Sequence, residues 1–192
     1  AEGLRARGYA ATTLGEEAAA RPPPGGAFRA LALAAGRLMA QPDGPRVAAF
    51  ELTGWDTHAQ QVNRLNGPLF QLDEGLGALQ EALGEHWRRS AVLVVTEFGR
   101  TVRVNGTMGT DHGTGGVAFI LGGAVAGGRV AGDWPGLAER NLFQNRDLAP
   151  TTDLRALAKG LLRDHLKLPA QAVARAFPGS DAAPPAGGLL RG

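Results

Sequence analysis

The sequence contains no cysteine, which excludes disulfides, zinc held by thiolates and a cysteine nucleophile. Any metal must therefore be held by oxygen and by imidazole nitrogen. No apolar run approaches the roughly 20 residues of a membrane span, and none reads as a signal peptide. An excess of one charge sign is lacking too. Lysine and arginine number 20 against 18 aspartates and glutamates, a net charge of +2, which argues against nucleic acid or an anionic membrane as partner. A Gly-x-Ser-x-Gly elbow, a phosphate-binding P-loop, a dinucleotide fingerprint and internal repeats are all absent. What remains is a chain of 192 residues, 44% hydrophobic and 20% charged, the profile of one globular domain with a real core.

Three segments are expected along it. Residues 1–26 form an amino-terminal extension ending in the linker Arg21-Pro22-Pro23-Pro24-Gly25-Gly26. Residues 27–168 form an α/β domain, and residues 169–192 a carboxyl-terminal tail, loose from Asp181 onward. The chain opens Ala1-Glu2-Gly3 without an initiator methionine, as expected of a processed start or of a fragment that lacks an amino-terminal half.

A helix is predicted over 27–40 with Phe28, Leu31, Ala35 and Leu38 on one face. Residues 46–52 (RVAAFEL) read as a buried strand. Leu65, Leu69, Leu72, Leu76, Leu79 and Leu83 alternate spacings of four and three, which makes one continuous apolar helix stripe. Asn66-Gly67-Pro68 either starts that helix or kinks it. Strands follow at 91–96 and 117–121, then a small hairpin around residues 122–132. A last helix, capped by Thr151 or Thr152, runs to about His165. Helices between strands imply right-handed crossovers, and so an α/β fold whose sheet is mostly parallel with flanking helices.

Polar clusters sit beside the apolar runs: Gly54-Trp55-Asp56-Thr57-His58, Thr96-Glu97-Phe98-Gly99-Arg100-Thr101 and Gly109-Thr110-Asp111-His112-Gly113-Thr114. They hold Asp56, Glu97, Asp111, His58 and His112. In open α/β sheets, strand ends converge on a crevice where ligands bind. Three carboxylates and two imidazoles gathered at such an edge need a cation to hold them together. Each cluster also has a plainer reading. Asp56 either faces a cation with His58 or caps the following helix. Glu97 is partnered either by a metal or by Arg100. His112, flanked by an aspartate and by glycines that let backbone approach a ligand, has no apolar side on which to pack. His86 and His165 lie near helix ends, where an imidazolium suits the helix dipole, and read as structural or solvated.

The run LNGPLFQLDEGLGALQEAL, AVLVVTEFGRT, GTDHGTGGVAFILGGAV and GGRVAGDWPGL, together with the GWDTH, TEFGRT and DHG pattern, resembles the carboxyl half of the bacterial family called domain of unknown function 1501. The similarity covers roughly residues 28–177. That family is generally placed in the alkaline phosphatase-like superfamily, which includes phosphatases, sulfatases and cofactor-independent phosphoglycerate mutases. The resemblance implies an alkaline phosphatase-like fold, present in part. It also implies a periplasmic or secreted protein, since family members often carry a twin-arginine export signal.

Asp56 and His58 match the superfamily's metal-binding Asp and His, at a tighter spacing. Glu97-Phe98-Gly99 stands where an Asp-His-Gly motif is usual, so a carboxylate is kept and a histidine is lost. His112-Gly113-Thr114 matches a later His-Gly-Thr, and Asp111 substitutes for the missing ligand. The expectation is a metal-dependent hydrolase of phosphate or sulfate esters. Asp56, His58, Glu97, Asp111 and His112 hold one or two divalent ions (zinc, manganese, magnesium or calcium), and Arg100 grips a small anionic ester substrate. The superfamily nucleophile, a Ser or Thr, belongs to the amino-terminal half. Here the attacking group is expected to be a water activated by the ion, or a hydroxyl from that half. The alternative is a non-catalytic binding or structural module of the same fold, its clusters closed by ion pairs such as Glu97–Arg100 and Asp111–Arg103.

Overall fold

A computed structural model describes residues 26–192. The expected extension and linker at 1–26 lie almost wholly outside the described residues. The protein is an α/β chain with small antiparallel sheets. It divides into two compact units, residues 1–86 and residues 87–192.

In the first unit, helix α1 spans Gly26–Met39 and helix α2 spans Gln61–Leu83. They pack through small residues. Ala32, Ala34 and Gly36 are the buried positions of α1, whereas Leu31, expected on the inner face, is 36% exposed. A methyl group added at Gly36 would stand 2.6 Å from the Ala82 Cβ, so the backbones are as close as glycine and alanine allow. The leucine stripe of α2 is present, but only its end is enclosed. Leu79 and Leu83 are each 5% exposed, and Leu69 is 47% exposed. The helix starts ahead of Asn66-Gly67-Pro68, so Pro68 falls inside it and withholds one backbone donor from the ladder.

Residues 46–52 form no strand. An apolar run becomes a strand only beside a ladder partner, and these residues have none among those described. Val47 is 67% exposed, and Phe50 meets the Phe28 ring edge-on at 6.4 Å. That difference removes the helical crossover on which the parallel sheet was expected.

The second unit begins in a short 3-10 helix that continues from Gly84 to Arg89, and its strands pair antiparallel. Strand β1 (Val92–Val94) pairs with β4 (Phe119–Leu121), Val92 opposite Leu121 and Val94 opposite Phe119. Strand β2 (Gly99–Arg100) pairs with β3 (His112–Gly113). No helix separates β1 from β4, and without a helical crossover neighbouring strands run antiparallel. Helix α3 covers Leu154–Asp164 and helix α4 covers Ala170–Ala176. The cap of α3 is Asp153, whose carboxylate accepts the Arg155 backbone N–H at 2.8 Å; the helix starts past the two threonines expected to cap it.

The carboxyl-terminal segment is bound into this unit, contrary to a loose tail. Val125 bridges Leu190, and no hairpin forms at 122–132. Ala126 N donates to Leu189 O, and Arg191 N to Ala124 O, both at 2.9 Å. Lys159 on α3 is only 5% exposed. Its ammonium donates to the carbonyls of Ser180 at 2.6 Å and Ala183 at 2.8 Å, which satisfies a charge that would otherwise be costly to bury.

Candidate functional site

In the first unit, Gly54 takes a positive φ of 101°, which glycine adopts without strain. Thr57 N then donates to Trp55 O at 3.0 Å, a tight turn ahead of α2. The turn leaves the Asp56 carboxylate and the His58 imidazole side by side, Oδ1 to Nε2 at 3.0 Å, with side chains 59% and 46% exposed. Thr57 between them turns the other way and is 2% exposed. Asp56 caps no helix here: the residue ahead of α2 is Gln60, in a left-handed conformation and without a side-chain cap.

In the second unit the candidate residues gather on the β2–β3 ribbon. Arg100 lies directly opposite His112, and Gly99 opposite Gly113. Opposed residues of an antiparallel pair project to the same face, so the guanidinium and the imidazole share one side. Phe98 is their platform. Its ring stacks on His112 at 4.6 Å with 9° between planes, and the Arg100 guanidinium carbon stands 4.7 Å from the Phe98 ring centre. Such ring and cation–π contacts contribute about 0.5–1 kcal/mol each at exposed sites. Arg100 Nη1 also donates to Thr110 O at 2.7 Å.

The connection from β2 to β3 is built on Asn105. Its Oδ1 accepts from Thr107 N, Thr107 Oγ1 and Gly109 N, and its Nδ2 donates to Asp111 Oδ1 at 2.9 Å. Asp111 is further held through its backbone, Thr101 N donating to Asp111 O and Asp111 N donating to Thr101 Oγ1. Glu97 is exposed, immediately ahead of Phe98. Arg103 pairs with Glu139 at 3.1 Å.

Gly113 in the third cluster and Gly115 just past it have a structural use beyond the expected approach of a ligand. A Cβ at Gly113 would stand 2.5 Å from the Arg100 carbonyl carbon, and one at Gly115 would run into the Leu148 carbonyl. They let three backbone segments close on one another.

Asp56 and His58 thus belong to one unit, and Glu97, Arg100, Asp111 and His112 to the other. His86 lies in the 3-10 helix, and His165 closes α3, its backbone N–H donating to Leu161 O. Sequence reasoning missed Phe98, whose only signal is its two-residue spacing from Arg100. It also missed Asn105 and Asp147. Asp147 is 2% exposed and is reached by Thr114 Oγ1 at 3.0 Å. The hydrogen bond from Arg146 at 2.7 Å, helped by Thr114, holds its carboxyl below the usual range.

A family model described as "Protein of unknown function (DUF1501)" matches residues 1–177. No curated protein and no solved structure matches the chain.

Proposed function

This chain belongs to the DUF1501 family, and from that premise we propose that it serves a metal-dependent hydrolase acting on phosphate or sulfate esters. The observation that carries the reading is the solvated carboxylate–imidazole pair of Asp56 and His58 at 3.0 Å. His112 is the next ligand in the proposal, with Asp111 and Glu97 completing the set. This donor set of oxygen and imidazole nitrogen, without thiolate, fits a divalent ion such as zinc, manganese, magnesium or calcium. When bound, the ion supplies Lewis acidity toward the ester and toward the charge developing on its oxygens. Arg100, on the same face as His112, takes the anionic group by bidentate hydrogen bonds. The Phe98 ring and the Thr110 carbonyl hold that guanidinium in place. An alkaline phosphatase-like fold with a mostly parallel sheet, a hydroxyl nucleophile from an amino-terminal half, and export by a twin-arginine signal to the periplasm or beyond belong to the same proposal.

The test compares the protein with His112→Ala. The expected result is stoichiometric bound metal and turnover of p-nitrophenyl phosphate or sulfate in the first, and loss of both in the second. Equal metal content or equal turnover in the two overturns it.

A second reading, a non-catalytic module of the same fold, is favoured by one observation. The buried carboxylate of Asp147 is already neutralised by the protein's own Arg146. A native state that binds metal gains stability by mass action, so an unchanged melting temperature on adding EDTA would select the module.

A further inference from the structure

The β2–β3 ladder is two residues long on each side. Ribbons this short are marginal on their own. A one-residue slip of β3 would turn His112 to the face opposite Arg100. Something beyond the ladder must hold the register. The segment 146–148 lies along the far side of β2. Val102 N donates to Arg146 O at 3.1 Å, Leu148 N donates to Arg100 O at 3.3 Å, and Asp147 bridges Thr101.

Asp147 itself is held twice more. Its backbone exchanges both hydrogen bonds with Phe143 at 3.0 Å. Its side chain is 3% exposed, with Oδ1 2.7 Å from Arg146 Nε. Oδ2 accepts from Thr114 Oγ1, two residues past His112, at 3.0 Å. A buried carboxylate bonded at both oxygens cannot shift without leaving its charge unpaired. It is therefore a fixed post, and Thr114 ties β3 to it.

We infer that Asp147, acting through Thr114, is the positioning residue that sets the register of β3 and so keeps His112 stacked on Phe98 and opposite Arg100. The inference rests on His112 as the ligand of the proposed site, but the positioning itself is measurable without metal.

The experiment uses the full chain as the metal-free protein, with Thr114→Val, Thr114→Ser and Asp147→Asn. Thr114 is exposed, so its variants keep the fold where the Asp147 variant risks losing it. The readout is the displacement of the His112 ring-proton resonances by the Phe98 ring current, assigned against His112→Ala. Thr114→Val and Asp147→Asn lose the displacement, and Thr114→Ser restores it. Zinc affinity, measured in parallel, falls about tenfold in Thr114→Val, as for other supports of metal-ligating histidines. An unchanged His112 signal in Thr114→Val, or a Thr114→Ser variant that behaves like the valine, overturns the positioning. A wild-type protein that shows the ring-current signature, with Thr114→Val abolishing it, and that binds no zinc supports the positioning and sinks the metal reading instead.

Discussion

Thr57 is enclosed at 2% exposure, and its hydroxyl has no hydrogen-bond partner among the described residues. An unmade hydrogen bond at a buried hydroxyl costs about 1–3 kcal/mol, and valine has nearly the same shape. Thr57→Val is therefore expected to raise stability by about 1 kcal/mol, read as a higher midpoint of denaturant unfolding at constant slope. An unchanged or lower midpoint would mean that the hydroxyl is satisfied in solution. The flanking residues Asp56 and His58 were legible because a carboxylate and an imidazole two positions apart are a recognisable donor pair. Phe98 was not. In the sequence it stands only where a metal-binding histidine is missing. Its use as a platform depends on the register between β2 and β3, and register is a long-range property.

The three longer helices were the most legible elements, since their apolar period is local; the short α4, inside the segment expected to be tail, was not. The α1–α2 contact was read less well, because leucines drew attention while glycine and alanine make the approach. Two glycines separate the effects. Gly77 in α2 has open space where a methyl would go, while Gly36 in α1 has Ala82 in the way. Gly77→Ala is expected to stabilise by about 0.5–1 kcal/mol through helix propensity alone. Gly36→Ala gains the same propensity but overpacks the contact, at about 1–3 kcal/mol, and should come out neutral or destabilising. Thermal unfolding of the two single variants checks the ordering, and a Gly36→Ala more stable than Gly77→Ala refutes it. The strands show the opposite lesson. Val92–Val94 and Phe119–Leu121 were found by their apolar runs, yet residues 46–52 carry a similar run and make no strand. Strand formation is decided by a neighbour, and the neighbour is not written in the run itself.

Acid should loosen the protein as a whole. Asp153 is held at about 2, below the ordinary 3.8, chiefly by the Arg155 side chain and then by its backbone N–H. Arg146 and Thr114 lower Asp147 likewise. A carboxyl depressed in the folded state contributes stability that is present above its unfolded value and is lost as pH falls through the folded one. Melting temperature is thus expected to drop between about pH 4 and about pH 2, and less steeply in Asp153→Asn. Parallel curves for the two proteins would show that Asp153 takes no part. The closing of the carboxyl-terminal segment had no sequence signal, because it relies on main-chain bonds and one ammonium group with no periodicity to betray them.

That ammonium has a practical use. The chain has two lysines, Lys159 and Lys167, one enclosed by the carbonyls of Ser180 and Ala183 and the other open to solvent. An amine-directed acylating reagent therefore meets a built-in reference and a built-in reporter. Labelling of Lys167 follows the reagent, and labelling of Lys159 follows how often the final residues let go.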